Sequence, residues 1–294
     1  MADAVAALGR PLLRVQADPS GNKGVCTVAV RDLQPGEAVL VEVPLHHTPT
    51  PSTDERRALQ VFARRLGAKP GTKPPLVAAL ALRWCPVLRR LAEAPADVRE
   101  KVLSLQADFA EADSPMAQAV VEMARRVHEA GLVTGLTEAE TAAAVAVMAI
   151  NSADTLPDGS EALFYLGSLI EHSCLPNLKL CIYQAEQAPP ERGLVGLPGD
   201  TWVGEWRAMC SIGDGEAVTT SYLEDELLAQ GRARRQGVLR ARMGFLCCCD
   251  RCKEEGGEPA APARPAKAPP AQPQRPERSP APSREPALSL SEMD

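Results

Sequence analysis

Ser168-Leu169-Ile170-Glu171-His172-Ser173-Cys174-Leu175-Pro176-Asn177 is the stretch on which the reading of this chain turns. It sets a carboxylate, an imidazole, a hydroxyl and a thiol side by side and closes on Pro-Asn. A lone histidine is more often structural than functional. The Ser-Cys-x-Pro-Asn that follows His172 raises it above that reading. Two further segments belong with it. Gly215-Glu216-Ala217-Val218-Thr219-Thr220-Ser221-Tyr222 reads as a strand that ends on a tyrosine, and Gly21-Asn22-Lys23-Gly24-Val25 reads as a glycine-bearing turn entering a strand.

Downstream, Phe245-Leu246-Cys247-Cys248-Cys249-Asp250-Arg251-Cys252 carries the spacing Cys-x-Cys-x-x-Cys. Structural zinc takes four thiolates in a tetrahedron, and short spacings let one loop wrap the ion. Cys247, Cys249 and Cys252 supply three ligands. The fourth is either Cys248, where ligation by adjacent residues is strained, or a distant cysteine. Four cysteines within six residues argue against a set of buried free thiols. A closed four-cysteine shell has no open position for water, so such an ion is structural.

Composition bounds the rest. The chain has 294 residues, 45% of them hydrophobic, enough for a sizeable core. The net charge of −6, with no long basic run, gives no sign of direct nucleic-acid binding. No apolar run approaches the roughly 20 residues that cross a bilayer, and the Ala-rich start lacks the apolar core of a secretory signal. Of nine cysteines, five are scattered singly, which does not look like a disulfide framework. These features predict a soluble, monomeric protein of the cytoplasm or nucleus.

Three regimes follow one another. Residues 12–45 read as short strands, with Val25 to Val30 and Ala38 to Val43 rich in β-branched residues around a Gln34-Pro35-Gly36-Glu37 turn. Residues 51–150 read as helical: Ser52 with Glu55 and Thr137 with Glu140 have capping-box spacing, and Ser114-Pro115 suits a helix start. Strands return at Leu178 to Tyr183, Thr201 to Met209 and Glu216 to Tyr222, with Pro189 to Asp200 as an exposed hairpin loop. A charged helix from Asp225 to Arg242 leads into the cysteine cluster. Residues 253–294, rich in Pro, Ala, Arg, Glu and Ser, cannot bury enough apolar surface to offset their ordering entropy and read as a disordered tail.

In this order, the His-Ser-Cys-x-Pro-Asn core, the Gly-Glu-x-x-x-x-Ser-Tyr strand and the Phe-x-Cys-x-Cys-x-x-Cys segment resemble the SET-domain lysine methyltransferases. Within that family the chain looks most like the SET-and-MYND group, with Asn151-Ser152 ahead of the histidine motif and a helical block inside the domain. No MYND zinc finger is present, since no cysteine lies between Leu45 and Trp84. The resemblance implies an α+β, β-rich SET fold of small curved sheets with knot-like threading. It divides the chain into an N-terminal extension (1–11), a SET domain (12–223, with the helical insertion at about 51–150), a post-SET zinc-binding segment (224–252) and the tail.

The resemblance also implies roles. S-adenosyl-L-methionine would be the methyl donor and a lysine-bearing protein the acceptor. Gly21, Asn22, Lys23 and Gly24 match the loop along the donor, and Asn151, Glu171, His172, Tyr222 and Phe245 match further donor-contacting positions. Tyr222 matches the tyrosine whose hydroxyl orients the reacting groups. Cys174 matches the distant zinc ligand that joins Cys247, Cys249 and Cys252. Asn151 also suits a plain helix cap, and Tyr165 and Trp206 read as core. Three departures stand out: Glu171 where the family carries Asn, Ala153 where close relatives carry Phe, and Met243 where an aromatic is common. They keep a second reading open, a SET-fold binding module without catalysis.

Overall fold

The computed structural model describes residues 12–17, 25–105, 115–151, 154–194 and 196–256. The chain opens with β1 (Leu13–Ala17), β2 (Val25–Ala29), β3 (Ala38–Glu42) and β4 (His46–Thr48). Five helices follow: α1 (Thr53–Arg65), α2 (Leu76–Glu93), α3 (Ala96–Leu103), α4 (Pro115–Glu129) and α5 (Glu138–Ile150). Then come β5 (Asp154–Thr155), β6 (Glu161–Leu163), β7 (Glu171–His172), β8 (Leu178–Gln184), β9 (Trp202–Ala208) and β10 (Thr219–Thr220). Three short helices end the described chain: α6 (Asp225–Leu228), α7 (Arg232–Met243) and α8 (Asp250–Glu255).

The first and last helices of the insertion start on the signals their sequence carries. Ser52 and Glu55 form a complete capping box on α1, and Thr137 and Glu140 form another on α5. The apolar stripes of α1, α2, α4 and α5 meet in one core built on Phe62, Trp84, Leu88, Met123 and Met148. None of the described helices is long and apolar enough to cross a membrane.

Four small sheets make up the β part: β1-β2, β3-β9-β8, β4-β6-β5 and β10-β7. β8 and β9 form the expected hairpin, paired in register from Leu178↔Ala208 to Gln184↔Trp202. The expected strand Glu216 to Tyr222 is a correction: only Thr219–Thr220 is regular. Its backbone divides between partners, Ala29 N–H donating to Glu216 and Val218 N–H to Thr27, while β10 runs parallel to β7. The charged helix is also corrected. It breaks into α6 and α7, with Gly231 capping the start of α7. Helix α8 carries the ordered backbone through Lys253 to Glu255, past the expected start of the tail. Residues 257–294 lie outside the described residues.

Glu42 ties β3 to the turn that precedes β7. It is buried at the end of β3, and its carboxylate accepts from the Leu166 and Gly167 N–H groups at 2.9 and 3.0 Å. Those amides open the short 3-10 turn Gly167–Leu169 that leads into Glu171 and His172. Burial pushes the Glu42 carboxyl up to about 7, against the lowering effect of these N–H bonds.

Candidate functional site

Four cysteine sulfurs from two distant segments meet. The Sγ atoms of Cys174, Cys247, Cys249 and Cys252 all lie within 4.8 Å of one another, a group that could hold a metal ion. Cys174 Sγ is 3.9 Å from Cys247 Sγ and 3.6 Å from Cys252 Sγ. A tetrahedral ion with metal–sulfur bonds of about 2.3 Å sets its sulfurs about 3.8 Å apart, so the spacing fits. Each sulfur also receives an N–H donor. Cys249 takes the Cys174 amide at 3.4 Å, Cys247 takes the Cys249 amide at 3.5 Å, Cys174 faces His172 Nε2 at 3.4 Å, and Cys252 takes Arg235 Nη2 at 3.6 Å. The hydrogen bond between Cys247 and Cys249 pulls the Cys249 pKa down and pushes that of Cys247 up.

Local sequence holds the cluster in place. Gly244 ends α7 in the left-handed conformation (φ 75°), which a glycine adopts without strain and which turns the chain into Phe245 and Cys247. Gln236 then grips the Cys247 backbone twice, donating to its carbonyl at 2.6 Å and accepting from its amide at 2.8 Å. Arg251 donates to the carbonyls of Cys174 and Leu228 at 3.2 and 2.9 Å, tying the two segments together.

His172 stands between this cluster and Tyr222. The Tyr222 N–H donates to His172 Nδ1 at 3.0 Å, so Nδ1 is unprotonated and Nε2 carries the ring proton that faces Cys174. The rings of His172, Tyr222 and Phe245 form a triangle with centroids 5.3, 6.0 and 6.4 Å apart. The Tyr222 hydroxyl donates to the Ile170 carbonyl at 2.7 Å, and burial pushes its pKa above the ordinary tyrosine value. Met243 packs in the same cluster.

Beside Tyr222 opens a cavity of about 230 Å³, lined among others by Asn151, Ser168, Trp206, Ser221, Tyr222 and Glu224. Three of its hydroxyls direct their protons into the fold. Ser168 donates to Phe164 at 2.6 Å, Ser221 to Leu223 at 2.9 Å, and Tyr222 to Ile170. Their oxygens are left with lone pairs to offer. Glu224 is the one charged residue in the described lining, and Phe164 and Trp206 meet edge to face at 5.6 Å to form the aromatic wall. Among the described residues the lining is thus rich in acceptors and holds no cation, which suits a positively charged guest.

The site residues expected from sequence thus fall into three sets. Cys174, Cys247, Cys249 and Cys252 meet, and His172, Tyr222 and Phe245 meet next to them. Asn151 lines the cavity and also caps α5, its Nδ2 donating to Val147 at 3.1 Å. Glu171 lies on β7, paired with Thr219, and is not part of the cavity lining. Gly21, Asn22, Lys23 and Gly24, with Ala153, lie outside the described residues. Sequence reasoning missed Trp206, Ser168, Ser221 and Glu224 as cavity wall, and Arg235 and Gln236 as supports of the cluster. Trp206 is buried as expected of a core residue, but one side of its ring faces a cavity.

No family model matches the chain. Among solved structures it is similar to one described as the SET domain of LSMT bound to lysine and AdoHcy, with TM-score 0.43, 13% identity, and coverage of 81% of this chain and 54% of that one. It is also similar to Rubisco LSMT bound to AdoMet, with TM-score 0.37, 13% identity, and coverage of 82% and 53%. The chain spans about half the length of the chains it matches.

Proposed function

We propose that this chain transfers a methyl group from S-adenosylmethionine to the side-chain amine of a lysine in another protein, with Tyr222 beside the reacting groups. In this reading Cys174, Cys247, Cys249 and Cys252 hold a structural zinc ion. The observation that carries the reading is the cavity at Tyr222, whose walls offer oxygen lone pairs, aromatic faces and one carboxylate. Such walls favour the two cations involved, a sulfonium and a lysine ammonium.

The donor, when bound, supplies a methyl group already activated on a positively charged sulfur. In-line displacement by an amine needs no protein nucleophile, so the protein's work is alignment and exclusion of water. Tyr222 suits alignment rather than base catalysis, since its raised pKa keeps the phenol neutral and Ile170 fixes its proton. The lysine amine must be neutral to attack, although its reference pKa is about 10.4. Apolar walls such as Trp206 and Phe164 lower that value by desolvation. Asn151, Glu171, His172, Phe245 and the Gly21 to Gly24 loop are assigned to the donor side. Both ring nitrogens of His172 face protein atoms, so its contribution there is to shape the wall. The zinc ion would pin residues 245–252 against residues 171–177 without touching the chemistry.

Met243 beside Tyr222 and Phe245, where the resemblance calls for an aromatic, is the feature that favours a binding module instead. Calorimetry with S-adenosylmethionine tests the donor site, and transfer of labelled methyl to protein separates the enzyme from the binding module. Saturable binding that weakens in Phe245→Ala is expected. No binding with the donor in the millimolar range would remove the enzyme reading.

A further inference from the structure

We propose that Arg235 is the built-in counter-cation of the metal centre and sets its affinity for the ion. This rests on the metal reading above. Arg235 lies on α7 with its side chain 0% exposed, directly against the cysteine cluster. Its Nη2 donates to Cys252 Sγ at 3.6 Å and to Glu255 Oε2 at 2.9 Å, and its Nη1 donates to the Gln230 carbonyl.

Burying a guanidinium costs several kcal/mol unless an anion compensates it. Glu255 compensates only in part: its side chain is 33% exposed, and it also pairs with Arg251 Nε at 2.9 Å. The missing anion is the cluster itself. Four thiolates around a divalent ion leave a net charge of about −2. The donors to the other three sulfurs are neutral: the amides of Cys174 and Cys249 and the Nε2–H of His172. Arg235 is the donor to the cluster that also brings charge. A guanidinium held against one sulfur stabilises the thiolate form the metal requires, and it does so most in a dry site.

The rival account makes Arg235 a mechanical pin joining α7 to α8 through Glu255. The two accounts predict opposite behaviour for Glu255→Gln. Zinc affinity is measured by chelator competition on the full chain, and the ligand set is checked by the thiolate-to-metal absorption band of the cobalt-substituted protein. The charge account predicts that Arg235→Met weakens zinc binding by about tenfold to a hundredfold with the four-sulfur cobalt band retained. Arg235→Lys recovers part of that loss. Glu255→Gln, which breaks the pin and leaves the cation, binds zinc as tightly as wild type or tighter. Wild-type affinity in Arg235→Met overturns the proposal, as does a loss in Glu255→Gln equal to that in Arg235→Met. Should Arg235→Met fail to fold, the other two variants decide: a weakened Glu255→Gln or an Arg235→Lys of wild-type affinity overturns the proposal, and a weakened Arg235→Lys beside a Glu255→Gln of retained affinity supports it. A wild-type chain that takes up no metal would sink the zinc reading itself, a result distinct from all of these.

Discussion

A methyl group at position 167 would sit 2.2 Å from the Trp206 ring, so glycine there is a packing requirement. Gly167→Ala must displace the ring that walls the cavity. It should cost about 1–3 kcal/mol in denaturant unfolding and weaken donor binding as well. Tyr222→Phe removes one hydrogen bond and leaves the Ile170 carbonyl unpaired in the interior. Methyl transfer should fall about tenfold or more, with the fold intact by circular dichroism. Glu42 gives a pH-dependent signature. Its carboxyl is raised from 4.5 to about 7, so the folded state holds the proton more tightly than the unfolded chain. That stability is present below about pH 4.5 and is lost as pH rises through about 7. The wild type should lose roughly 3 kcal/mol relative to Glu42→Gln between about pH 4 and about pH 8. Parallel unfolding curves for the two proteins across that range would contradict it.

At the scale of elements, the cluster holds together pieces too short to persist alone. Helix α8 has six residues and follows directly on Cys249, its N-cap, and its position depends on sulfur contacts back to Cys174. Stripping the metal should therefore raise amide exchange in residues 245–256 and 171–177, while α1, α2, α4 and α5 keep their protection. Loss of protection in the helical insertion at the same chelator concentration would show that the two parts are not separable. Much of this level was legible. Ser52 with Glu55 and Thr137 with Glu140 announce their helices because a capping box is a local device, and β8 and β9 flank a Pro- and Gly-rich loop that could only be a hairpin. The Glu216 to Tyr222 strand was overread because its residues pair piecewise with β2 and β7, partners that no local pattern reveals. Arg235 was invisible for a similar reason: an arginine in Arg232-Ala233-Arg234-Arg235 reads as solvent-facing until the cysteine cluster is found beside it.

Over the whole molecule, the helical insertion has its own core, and the β part has another around Leu40, Phe164, Ile170 and Trp206. The candidate site lies where α5, β7, β10 and the cysteine segment converge, so its parts come from distant stretches, Cys174 and Cys252 alone being 78 residues apart. The resemblance carried by the His-Ser-Cys-x-Pro-Asn motif picked out the partners across those distances. What it did not reveal was the acceptor-rich character of the cavity, because that depends on where the Ser168, Ser221 and Tyr222 hydroxyls send their protons. The central claim is a cation-accepting cavity that carries out methyl transfer, and the most direct test is to incubate the zinc-loaded chain with methyl-labelled S-adenosylmethionine and cell extract. The account predicts label on lysine side chains of protein, strongly reduced by Tyr222→Phe and abolished by chelation. Label that never appears on protein, while the same preparation binds the donor, would contradict it.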